Sequence, residues 1–150
     1  MNSRLRRAVL VLYLLAVVRI TQWPQLADES DLAWLVDLLA WAHRNGLPTA
    51  IGMPVVEGSA NVAMFVPFGV LVPLVLRRPA WQAVVAGAVF SACLETSQAL
   101  FFPDRVPSLQ DVVMNTAGAA LGALLLVQVT AARARRASRL AAVSSDPAGS

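Results

Sequence analysis

The chain has 150 residues and a mass of 16.0 kDa, the size of a single domain. Hydrophobic residues make up 57% and charged residues 14%, whereas soluble domains average about 45–50% and about 25%. This composition excludes intrinsic disorder and disfavours a soluble globule, because few charges remain to cover its surface. Cys93 is the single cysteine and His43 the single histidine, which excludes an intramolecular disulfide and a histidine-rich metal centre. We therefore predict no metal site and no cofactor.

Four hydrophobic segments predict a bundle of four transmembrane helices, since about 20 mainly apolar residues cross the hydrocarbon core as a helix. The first, at about 5–23, is the weakest, because its uncharged run covers only 8–18 and Arg19 must extend toward the headgroups. The other three lie at about 58–76, 79–102 and 112–132. The predicted fold class is an all-α, polytopic membrane protein.

The first segment has an alternative interpretation as a signal peptide, because Arg4, Arg6 and Arg7 precede its apolar stretch. Arg19 and Ile20, however, stand where small cleavage-site residues are expected. We therefore favour an uncleaved helix.

A short amphipathic segment, 31–44, lies between the first two spans. It is too short and too charged to span a membrane, so it predicts an interfacial helix on the outer leaflet. The following stretch, 45–58, contains three glycines and two prolines and predicts an irregular loop. The apolar stripe of the predicted interfacial helix contains Leu35, Leu38, Leu39 and Ala42, with Trp34 and Trp41 close to it.

The arginines predict the orientation, because cytoplasmic loops carry an excess of basic residues. A cytoplasmic N-terminus leaves three of the twelve arginines, Arg19, Arg44 and Arg105, on the outer side. Both termini are then cytoplasmic, and the pI near 10.4 reflects topology, so we expect no nucleic-acid partner. The predicted organisation is a membrane domain over 1–132 and a basic, partly disordered cytoplasmic tail over 133–150, which starts as a continuation of the last helix.

The few strongly polar side chains of the spans are predicted to lie at one depth, in the outer half of the membrane. A polar side chain in hydrocarbon is costly and needs a partner or a function. Glu95 and Gln98 share one helical face, as do Asp111 and Asn115. Glu95 and Asp111 are candidate catalytic groups. The candidate ligand-binding residues are Asn61, Glu95, Gln98, Arg105, Asp111 and Asn115.

These residues also have structural interpretations. Glu95 and Arg105 could form an ion pair that ties the third span to the next loop. Asn61 and Asn115 could only hydrogen-bond neighbouring helices, and Asp111 could cap its helix. A ligand site is favoured by the convergence of several polar side chains beside an arginine, which can hold an anion bidentately.

Gly118 and Gly122 continue the stripe of Asp111 and Asn115 with the spacing G-x-x-x-G. This motif lets another helix approach closely. We therefore predict that the stripe faces protein and that both glycines serve helix packing.

The stretches NVAMFVPFGVLVP (61–73) and LETSQALFFPDRVPSLQDVVMNTAGAALG (94–122) resemble the VanZ-like family of small bacterial membrane proteins. The resemblance covers about 59–126 and departs from the family at Ser108, where many relatives carry an acidic residue. It implies a polytopic protein of the bacterial cytoplasmic membrane, and the family's namesake is associated with low-level resistance to the glycopeptide teicoplanin. The matching positions are Asn61, Phe65, Pro67, Gly69, Glu95, Gln98, Arg105, Asp111, Asn115, Gly118 and Gly122.

Three functions fit these features. The first is a cell-envelope protein whose outer-leaflet polar pocket binds an anionic lipid or envelope headgroup, with Arg105 holding the anion. The alternative is an intramembrane hydrolase or transferase acting on a lipid-linked phosphate or ester, with Glu95 as general acid or base. The third is a structural or assembly partner, including a homo-oligomer, that uses the glycine face.

Overall fold

The computed structural model describes residues 2–22, 33–102 and 107–144, and no strand occurs among them. The all-α prediction is confirmed. Three helices (α3, α4 and the part of α5 over Leu109–Ala141) are long and apolar enough to cross a membrane. α1 has four arginines in its 20 residues, and its role as a fourth span stays a prediction. The helices are α1 (Ser3–Gln22), α2 (Ala33–Arg44), α3 (Met53–Leu76), α4 (Ala80–Phe101) and α5 (Leu109–Ser144).

The contact between α3 and α5 forms the centre of the bundle. A Cβ atom at Gly118 would overlap the carbonyl oxygen of Val62, and one at Gly122 would overlap that of Val66. Only glycine permits this approach of the two backbones, because any side chain would occupy the space of the facing helix. Both glycines of the G-x-x-x-G motif therefore lie against α3.

Aromatic packing joins α4 to this pair. The rings of Phe65 and Phe68 on α3 and Phe90 on α4 have centroids 5.7 to 6.1 Å apart. Phe65 is fully buried and Phe68 is nearly so. These stacked and tilted rings fill the space between the helices with large apolar groups.

α1 packs along the same core, antiparallel to α3. Leu10 and Val17 are buried, and the hydroxyl of Tyr13 donates a hydrogen bond of 2.6 Å to the carbonyl oxygen of Met64. The end of α1 lies beside the last turns of α4, where Gln22 Nε2 donates to the carbonyl oxygen of Leu94 at 3.2 Å. α1 is thus an integral part of the helical bundle.

One predicted boundary needs correction. α3 begins at Met53, so the predicted loop over 45–58 is wrong for its last six residues. Pro54 lies in the first turn of α3, where its fixed φ suits a helix and its missing N–H costs nothing. α5 continues to Ser144, in line with the predicted continuation of the last helix beyond 132, because alanine and arginine propagate a helix well. The end of the tail, predicted to be disordered, includes residues 145–150, and these lie outside the described residues.

α2 is a helix with no fully buried residue. Its predicted first residues, 31 and 32, lie outside the described residues. Trp34, Leu38 and Trp41 follow one another at helical spacing, and all three are about half exposed or more. This apolar, outward-facing stripe is typical of a helix that lies in a membrane interface.

Candidate functional site

The polar side chains of the spans gather at one end of the bundle, which we call the polar end and define by Asn61, Glu95, Gln98, Asp111 and Asn115. The early turns of α3 and α5 and the last turns of α1 and α4 meet there. Each of these five side chains forms a hydrogen bond to a neighbouring helix or to the residue that precedes that helix.

Asn61 and Asp111 join α3 to α5. The Nδ2 atom of Asn61 donates to Oδ1 of Asp111 at 2.9 Å, and both side chains are half-buried. Asp111 lies in the first turn of α5, where the helix dipole favours a negative charge. A carboxylate acceptor also makes this hydrogen bond stronger than one between neutral groups.

Glu95 holds the start of α5 against the end of α4. The backbone N–H of Ser108 donates to Oε2 of Glu95 at 2.7 Å, and Glu95 is only 9% exposed. A buried carboxylate is stabilised by such a donor, since it would otherwise lose its hydration without replacement. Glu95 therefore has a structural partner in addition to any role toward a ligand.

Ser108 caps α5. Its Oγ accepts the backbone N–H of Asp111 at 3.2 Å, which is the pattern of a serine at the N-cap. The interpretation of Asp111 as the helix cap is therefore wrong, because Ser108 lies one turn earlier and the Asp111 carboxylate is bound to Asn61 instead. At the position where the resemblance led us to expect an acid, Ser108 thus provides a capping hydroxyl.

Asn115 is the most deeply placed amide of the set. Its Nδ2 donates to Oγ of Ser91 at 2.8 Å, and the two residues are 4% and 0% exposed. Its Oδ1 is buried and has no hydrogen-bond partner among the described residues. Exchanging the oxygen and nitrogen of the amide would still leave one of them unpaired. Buried amide atoms almost always bond to protein, water or a ligand.

Gln98 connects α4 to α1. Its Nε2 donates to the carbonyl oxygen of Thr21 at 2.7 Å, next to the bond from Gln22 to α4. The Oε1 atom of Gln22 is also buried with no hydrogen-bond partner among the described residues. Gln22 was not among the predicted site residues; the signal for it was an amide at the predicted outer end of the first segment.

Arg105 lies in the stretch 103–106, outside the described residues. Its ion pair with Glu95 and its contact with an anion stay predictions.

An apolar cavity of about 370 Å³ lies between α3 and α5 beside the polar end. Gln110 and Met114 line it from α5, and Gln110 is the neighbour of Asp111 in the chain. From α3 it is lined by Pro54, Val55, Gly58, Ser59, Val62 and Ala63.

The family comparison covers all of this architecture. The VanZ/LLP1 family model matches residues 9–131, from α1 through most of α5, including every candidate residue of the polar end. The chain belongs to the VanZ/LLP1 family. The resemblance deduced from the two motif stretches is therefore confirmed. No curated protein and no solved structure matches this VanZ/LLP1 chain.

Proposed function

We propose that this VanZ/LLP1 protein is a multi-pass protein of the bacterial cytoplasmic membrane that binds the anionic headgroup of an envelope lipid at its polar end. Both termini are proposed to be cytoplasmic, which puts the polar end in the outer leaflet. The observation that carries the proposal is an amide atom of Asn115, a residue 4% exposed, which has no hydrogen-bond partner among the described residues.

A layer that served only helix packing would satisfy its own polar groups, because an unpaired buried group costs about 1–3 kcal/mol. At the polar end, Asn61 is paired with Asp111 and Glu95 with Ser108, while one amide atom of Asn115 has no partner in the part of the chain that the structure describes. A headgroup hydroxyl or amide N–H can donate a hydrogen bond to Oδ1 of Asn115. If the oxygen and nitrogen of this amide are exchanged, the unpaired atom is Nδ2, which can donate to a phosphate oxygen.

The charges of the polar end set the chemistry of the ligand. Arg105 is proposed to hold the anion as a bidentate guanidinium pair. Glu95 and Asp111 compensate the positive charge of Arg105 and fix its geometry. The apolar cavity of about 370 Å³ between α3 and α5 provides a surface for an acyl or polyprenyl chain next to the headgroup.

The test is lipid binding by the purified full chain in nanodiscs that contain phosphatidylglycerol or a polyprenyl phosphate. We expect saturable binding that weakens at least tenfold in Arg105→Gln and in Asn115→Leu, which keeps the branched shape of the side chain but removes its amide. Arg44→Gln is the matched control, because it removes another of the three arginines predicted to be outside, from the exposed end of α2. Equal binding by wild type, Arg105→Gln and Asn115→Leu would contradict the proposal.

The same nanodiscs distinguish the enzymatic alternative. Release of product from a labelled lipid-linked phosphate or ester, abolished by Glu95→Gln, would favour an intramembrane hydrolase or transferase. Binding without product supports a binding protein. A link to teicoplanin-type resistance would require that expression lower susceptibility to teicoplanin and that Arg105→Gln remove the effect at equal protein level.

A further inference from the structure

A second cavity lies at the end of the bundle opposite the polar end. There the first turns of α1 meet the last turns of α3 and enclose a volume of about 800 Å³. Its basic lining residues are Arg6, Arg7 and Arg77, and none of the described acidic side chains lines it. Its apolar lining includes Leu10, Val11 and Leu76. We call this cavity the basic groove.

A smaller apolar slot lies beside the basic groove, also between α1 and α3. The slot has a volume of about 310 Å³ and is lined by Val9, Leu71, Leu74 and Val75 together with Arg6. Arg6, Leu74 and Val75 line both cavities. A basic cavity and an apolar cavity thus lie next to each other along the contact of α1 with α3.

Arg77 has an unusual backbone at the rim of the groove. It ends α3 in the left-handed region, with φ of 53°, and its N–H donates to the carbonyl oxygen of Pro73. Glycine or asparagine usually occupies this position, because a larger side chain disfavours positive φ.

We propose that the basic groove and slot bind one anionic phospholipid from the adjacent leaflet, which is the cytoplasmic leaflet in the predicted orientation. The phosphate lies among the guanidinium groups of Arg7 and Arg77, which match phosphate geometry through paired N–H donors. One acyl chain occupies the slot beside Val9 and Leu74. Basic pockets between helices on the cytoplasmic side are known to recognise anionic lipids in this way. This site is independent of the ligand proposed for the polar end.

The test is titration of the full chain in detergent with dioleoyl phosphatidylglycerol, followed by native mass spectrometry. We expect one saturable lipid whose affinity falls at least tenfold in Arg7→Gln/Arg77→Gln. Dioleoyl phosphatidylcholine should bind at least tenfold more weakly to the wild type. The matched control is Arg135→Gln/Arg139→Gln, which removes the same charge from exposed positions of α5. Equal losses in the two double variants, or equal binding of the two lipids, would overturn the proposal.

A second pair of measurements tests the acyl chain. Val9→Trp and Leu74→Trp fill the slot without changing charge, and both positions are partly exposed, 37% and 42%, so that the larger ring has space. Each should weaken phosphatidylglycerol binding severalfold, and glycerol phosphate should fail to displace the lipid. Undiminished binding in both tryptophan variants, or displacement by glycerol phosphate at the concentration of the lipid, would overturn the assignment to a phospholipid.

Discussion

Asn61 on α3 and Asp111 on α5 are joined by a hydrogen bond of 2.9 Å, fifty residues apart in the chain. The bond links the two helices whose backbones also meet at Gly118 and Gly122, several turns deeper in the bundle. One pair of helices thus carries both the closest packing of the described residues and part of the polar end. Substitutions at Gly118 or Gly122 therefore test helix packing, whereas a substitution at Asp111 tests the candidate site.

Asp111→Ala should lower the free energy of unfolding by about 1 kcal/mol, because Asn61 then loses its acceptor and membrane helix hydrogen bonds have this size. Asp111→Asn retains an oxygen at the same place and should recover most of that loss. Reversible unfolding in detergent measures both, and a double-mutant cycle with Asn61→Ala gives the coupling. Strictly additive effects in the cycle would contradict the hydrogen bond.

Gly122→Ala should destabilise the bundle by about 1–3 kcal/mol, the usual cost of overpacking. Its new Cβ would occupy the position of the Val66 carbonyl oxygen, so α3 and α5 must separate. Gly58→Ala is the control, because its Cβ would meet only the flexible Met114 side chain at 3.4 Å. Gly122→Ala should have a clearly lower melting temperature than Gly58→Ala. Similar melting temperatures would show that the close approach of α3 and α5 is not required.

Ser108→Ala should cost about 1 kcal/mol through loss of the α5 cap, whereas Ser108→Thr keeps the hydroxyl and should cost less. The hydrogen bond to Glu95 comes from the backbone and persists in both variants. Ser59→Ala serves as a comparison, because Ser59 Oγ donates its hydrogen bond to the carbonyl oxygen of Val55 in the same helix. Circular dichroism melts measure the three, and an effect of Ser108→Ala no larger than that of Ser59→Ala would rule out the cap.

The predicted orientation can be measured by cysteine labelling in a Cys93→Ala background. Asn45→Cys lies after α2 and Ser138→Cys in the last part of α5, and both positions are exposed. A membrane-impermeant maleimide should label Asn45→Cys in intact spheroplasts and Ser138→Cys only after permeabilisation. The reverse pattern would invert the topology and move the polar end to the cytoplasmic leaflet.

The exposed tryptophans of α2 should lie in the membrane interface. With Trp23 and Trp81 replaced by phenylalanine, the remaining fluorescence reports Trp34 and Trp41. Lipids brominated near the headgroup should quench it more strongly than lipids brominated at the chain end. Equal emission in the presence and absence of all brominated lipids would show that α2 lies in water.

Much of the architecture was predictable from the sequence, because the bilayer leaves a long apolar segment few alternatives to a helix. The positions of α1, α4 and α5, the short α2 and the family membership followed from hydropathy, the length of apolar runs and the motif residues. The start of α3 did not follow, because Pro54 and Gly58 favour turns locally but are compatible with the first turns of a packed helix.

Helical spacing alone predicts which polar side chains share a face, as it did for Glu95 with Gln98 and for Asp111 with Asn115. The hydrogen-bond partners of these side chains followed only from the packed bundle. Gln98 binds α1, Asn61 binds Asp111, and Asn115 keeps an atom without a partner among the described residues. A side chain's hydrogen bond depends on which neighbouring helix lies within about 3 Å, and that distance is set by packing across the bundle, not by spacing along the chain.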